Sequence, residues 1–140
     1  MNAEAVSPHT KTGWPKVDEE LTELRRRFRT AITTQDYRDV GNRSVAVLEA
    51  LNRTIYDPEV HLRDGETEPP ADKTLQRIGR YVEDSLAGKD NEAIRGVVNK
   101  GSDLAHSVKH STVPRRRDAG IAADSVIMLA NNLRRVDQDF

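Results

Sequence analysis

Between Lys16 and Thr33 the apolar residues Val17, Leu21, Leu24, Phe28 and Ile32 recur at steps of four, three, four and four, while Arg25, Arg26, Arg27 and Arg29 fall on other faces. That spacing keeps one stripe facing one way on a 3.6-residue period and predicts an amphipathic helix. A second stripe, Tyr37, Val40, Val47, Leu48, Leu51 and Ile55, predicts a helix over Asp36 to Tyr56. Thr34 or Asp36 is placed to cap it, and Asp57-Pro58 to stop it, because proline disfavours helical backbone in the residue before it. Residues 57–71 hold Pro58, Gly65, Pro69 and Pro70 among acidic residues and read as a long solvated loop.

Asp72 then caps a third predicted helix with Leu75, Ile78, Val82 and Leu86 on one side and Gly88 as its stop. Asp90 or Asn91 opens a fourth, carrying Ile94, Val97, Val98, Leu104, Ala105 and Val108 and ending near His110. Thr112 is placed to cap a fifth, with Pro114 in its first turn, and from Ala119 to Leu133 that helix is apolar almost all round. A surface that wide has to be covered on more than one side. The pattern therefore predicts an all-α protein, an antiparallel bundle of about five helices. Residues 1–15 form a flexible arm anchored by Trp14, and 16–140 form a single domain. Five of the eight glycines, Gly41, Gly79, Gly96, Gly101 and Gly120, fall inside these helices, where each costs roughly 1 kcal/mol against alanine unless a close helix contact offsets it.

Composition narrows the function classes. The 140 residues carry 22 Lys and Arg against 23 Asp and Glu, so the molecule as a whole does not attract nucleic acid or an anionic membrane. The absence of cysteine removes disulfides and thiolate metal sites. Met1 to Pro15 lacks the basic start and apolar core of a secretory signal, and no segment is long and apolar enough for a bilayer span, so a cytoplasmic protein without membrane partners is expected. Glycine-rich phosphate loops, nucleophile elbows and paired-carboxylate motifs are missing, and no cofactor is expected.

Candidate chemistry gathers in the last third. Asp103, His106 and His110 are spaced three and four apart and share one helix face. Two histidines at this spacing suit a divalent metal, but Ser107 stands where the zinc-protease pattern needs its glutamate base, and no metal site is expected. Arg115, Arg116 and Arg117 lie at a helix start, where the dipole disfavours cations. Compensation has three candidate sources: Asp118, the acidic residues of the 64–72 loop, or a bound anion such as an RNA phosphate.

The run from Asp103 to His110, the short turn, and Arg116 to Leu133 together resemble the closing helix pair of HEPN-like domains, including those of abortive-infection proteins. The resemblance implies a compact helical bundle, a homodimer, and a setting in phage defence or toxin-antitoxin systems. It also implies the activity of many such domains, metal-independent RNA cleavage. In the catalytic pattern an arginine precedes the histidine by four to six residues. Neither His106 nor His110 has one at that distance: Lys100 stands there instead, and Arg95 lies further back. Lysine lacks the planar fork that grips a phosphate.

Two readings follow. One is a non-catalytic, homodimeric helical interaction module, open to a further protein partner, whose apolar last helix supplies part of the interface. The other is a HEPN-type endoribonuclease in which His106 or His110 acts as base while Arg95 or Arg115, Arg116 and Arg117 stabilise charge on the RNA phosphate.

Overall fold

The computed structural model describes residues 11–70, 73–111 and 113–138, and the described backbone is helical without strands. The helices are α1 (Pro15–Thr30), α2 (Thr34–Ile55), the single turn α3 (Pro58–His61), α4 (Thr74–Ser85), α5 (Glu92–His110) and α6 (Arg116–Gln138), with a 3-10 turn at Lys89–Asn91 before α5. Five long helices and one short turn make up the bundle expected from the stripes. No helix among the described residues is long and apolar enough to cross a membrane.

α2 is the central element, packing on α1, α4, α5 and α6, while α6 also meets α1 and α5. The core follows the stripes closely: Val17, Leu21 and Leu24 of α1, Val40, Val47, Leu48 and Leu51 of α2, Ile78 and Val82 of α4, and Val126, Leu129 and Leu133 of α6 are buried. Each such side chain contributes about 1.5–3 kcal/mol by leaving water. Ala119, Ala122, Ala123 and Ala130 let α6 come close to its neighbours. Gly120 does the same against Phe28, whose ring would lie 3.2 Å from an added Cβ, whereas Gly79, Gly96 and Gly101 face open space. Close approach thus accounts for Gly120 and not for those three.

α1 and α6 run antiparallel. The Arg116 guanidinium lies 4.5 Å from the Phe28 ring and donates to the Ala31 carbonyl at 3.1 Å, while at the other end Arg134 stacks over Trp14 at 5.2 Å. Trp14 anchors the arm as expected. Thr12 is buried as well, because the Asp18 carboxylate accepts from the Thr12 N–H (2.6 Å), the Thr12 hydroxyl (2.8 Å) and the Gly13 N–H (3.0 Å). The expected arm at residues 1–15 therefore ends in a fixed segment, and residues 1–10 lie outside the described residues.

Several boundaries differ from expectation. α1 ends at Thr30, and Ile32 is 80% exposed, because the Ile32 and Thr33 amides donate to the Asp36 carboxylate at 2.9 and 3.0 Å. The Thr33 hydroxyl in turn accepts from the Asp36 N–H, so Thr33 is the cap of α2, Thr34 its first residue and Asp36 the far side of a capping box. α4 stops at Ser85, with Gly88 three residues on at φ +96°. Pro114 precedes α6 by two residues and is buried, and the helix opens on the Arg115 carbonyl. On α5, Val98 is buried but Ile94 and Val97 are about half exposed. The expected caps Asp72 and Thr112 and the stripe side chains Leu75, Ala105 and Val108 lie outside the described residues.

Candidate functional site

At the α5–α6 corner the histidines do different things. His106 is half-buried and its Nε2 lies 3.3 Å from the Thr74 hydroxyl at the start of α4, so the ring joins two helices, while Asp103 and His110 are exposed. Arg95 sits eleven residues before His106 on the same helix, roughly 16 Å along the axis. Its guanidinium donates to the carbonyls of Leu86 and Gly88 at 2.5 and 2.6 Å, which closes the end of α4. The structure does not bring Arg95 to either histidine. Among the described residues no three His, Asp or Glu side chains are grouped to hold a metal ion.

The three arginines also separate. Arg116 is bound to Phe28 and Ala31, a structural use that ties α6 to the end of α1. The Arg115 N–H donates to the Asp118 carboxylate at 2.9 Å, and the Arg117 guanidinium lies 3.6 Å from the same carboxylate. The Arg115 amide, then the neighbouring arginine charges, hold the Asp118 carboxyl below its ordinary value. Of the compensations expected for this cluster, Asp118 is in place. Two acids of the 64–72 loop are committed elsewhere: Glu66 binds Arg80 at 2.7 Å and Glu68 lies 3.4 Å from Arg77.

Those pairs belong to a region that sequence reasoning passed over. α3 interrupts the expected loop at 57–71. Asp57 caps it by accepting from the Glu59 N–H, and Pro58 fits its first turn. His61 is buried, its Nδ1 accepting the Asp57 N–H at 2.9 Å, with its ring 5.6 Å from both the Tyr56 and the Tyr81 rings. Arg77 lies over the Tyr56 ring at 4.7 Å and donates to the Pro69 carbonyl, while Arg63 grips Asp84 at 2.6 Å. Loop and α4 are thereby strapped together. The Arg63 hydrogen bond lowers the Asp84 carboxyl, and burial, then the charge of Asp137, raises the Tyr81 hydroxyl. The signal for this cluster was Asp57-Pro58, which reads equally as the end of one helix and the start of another.

Comparison with family models, curated proteins and solved structures gives no match for this chain. Chemistry therefore has to be read from its own surface. There, α1 and α6 leave a groove of about 540 Å³ lined by Leu24, Arg25, Phe28, Ala123, Asp124, Ile127 and Met128. Met128 is 43% exposed, as is Ile121 to a similar extent at 47%. Among the described residues, this face of α6 is left partly open to solvent. With no nucleophile, imidazole or metal-ligating cluster among its lining residues, what the groove offers is apolar contact framed by two charges.

Proposed function

We propose that this protein is a non-catalytic helical interaction module that acts as a homodimer. The observation that carries the reading is the α1–α6 groove, where Met128 is exposed beside the half-buried Phe28 and Ile121 is exposed on the same face of α6. Burying an exposed large apolar side chain stabilises an assembly by about 1.5–3 kcal/mol, and methionine adapts its shape to a partner surface. Arginine and methionine are both enriched at interfaces. The groups named for RNA cleavage argue less well, since Arg95 closes α4, Arg116 closes α1 and His106 binds Thr74.

Sedimentation equilibrium over a hundredfold range of protein concentration tests the reading. A mass that rises to twice that of the chain is expected, and monomer at every concentration overturns it.

A further inference from the structure

We infer that Asp64–Gly65 is a self-modification site, where the Asp64 side chain closes on the Gly65 amide and the chain reopens as isoaspartate. Asp64 is the only aspartate in the sequence followed by glycine, and no asparagine is. Both residues are exposed, at the centre of a turn closed by the Glu66 N–H on the Arg63 carbonyl at 3.0 Å. Among the described residues the Asp64 carboxyl and the Gly65 N–H have no hydrogen-bond partner, so both reacting groups are free. Gly65 sits at φ +76°, and nothing lies within 4 Å of where its Cβ would be, so no neighbour shields its nitrogen. Other aspartates lack this combination. Asp84 and Asp124 precede serines whose N–H groups are committed to helix bonds, Asp84 is held by Arg63, and Asp57 precedes Pro58, which has no N–H.

The chemistry needs only water. The Gly65 nitrogen bonds to Asp64 Cγ, the Cγ–OH bond breaks, and the amide proton leaves with that hydroxyl as water. Water then adds to one of the two carbonyl carbons of the resulting five-membered imide. Opening at Cγ returns Asp64. Opening at the former main-chain carbonyl breaks its bond to the Gly65 nitrogen and leaves the chain running through Cβ and Cγ. The net change is an isomerisation that lengthens the backbone by one carbon. That extra carbon falls between two anchors on α4, because Arg63 grips Asp84 at 2.6 Å and Glu66 grips Arg80 at 2.7 Å. The turn then no longer matches the spacing of its anchors, and the strap beside His61 slackens.

Ageing tests the site. The protein is kept for several weeks at physiological temperature and mildly acidic pH, then cut with an endoproteinase that cleaves before aspartate but not before isoaspartate. A fraction of unchanged mass that resists cleavage between Arg63 and Asp64 is expected to accumulate at least about tenfold faster than resistance at Asp90 or Asp103. Its absence, or equal accumulation at the other aspartates, overturns the site. Hydrogen exchange reads the consequence at the Val60, His61 and Leu62 amides, which bond to the carbonyls of Asp57 and Pro58. In aged protein these amides are expected to exchange about tenfold faster than in fresh protein. Asp64→Glu keeps Gly65 but can close only a less favourable six-membered ring, so ageing should leave its exchange unchanged. Equal acceleration in that variant, or none in the isomerised protein, overturns the slackening.

Discussion

His61 is closed between two tyrosine rings at the junction of α2, α3 and α4, whereas His110 stands in solvent at the α5–α6 corner beside exposed arginines. Sequence spacing draws attention to the corner, because histidines and arginines crowd together there. The structure makes more of the other place. Around His61 several polar groups are engaged: Asp57 N–H on the ring, Arg63 on Asp84, Arg80 on Glu66, Arg77 on the Pro69 carbonyl. At the corner, proximity in sequence spreads side chains around two helices and leaves most of them wet. A cluster of reactive residue types is thus not a site until distant segments close over it.

The contrast is broken most severely by substitution at its centre. His61→Ala removes a buried ring and the acceptor for the Asp57 amide, and is expected to cost about 2–4 kcal/mol in urea unfolding. His110→Ala should change stability by no more than about 0.5 kcal/mol. Equal losses at the two histidines would erase the distinction. Both measurements belong at one fixed protein concentration, because apparent stability depends on concentration in any protein that self-associates.

A smaller difference is expected inside the arginine cluster. Arg116→Ala gives up the Phe28 stack and the Ala31 carbonyl and should cost about 1–2 kcal/mol. Arg117→Ala loses an exposed contact to Asp118 and should stay within about 0.5 kcal/mol, because water screens such pairs. Thermal unfolding of the two variants decides whether the cluster divides as the contacts say. The smallest expected effect is none at all: RNA incubated with the protein in chelator should remain intact, and should be equally intact with His106→Ala and His110→Ala. Metal-independent cleavage that disappears in either variant would restore the corner as a catalytic site.

How much of this was legible from residues alone depends on how many faces each helix uses. α1 has one stripe and one buried side, so Val17, Leu21 and Leu24 were placed correctly by periodicity. α5 carries apolar residues on adjoining stripes, and periodicity cannot tell which of Val98 and Val97 turns inward; packing against α2 and α6 selects Val98. Ile32 continues the α1 period on paper, but the Thr33–Asp36 capping box takes its amide and turns the chain out first. His61 was hidden because nothing in Asp57-Pro58-Glu59-Val60-His61 reveals that Tyr81, twenty residues on, will cover it. Nor did spacing reveal that Phe28 meets Gly120, a contact which exists only once α1 and α6 lie side by side.

That last contact has a kinetic consequence. Phe28 and Gly120 are neighbours in space but far apart in sequence, so their meeting closes a long loop. Such long-range closures are entropically costly and slow relative to the local turns of a helix. A ribosome-bound chain that has released only the first five helices therefore lacks the α1–α6 seam, which waits until synthesis has delivered α6.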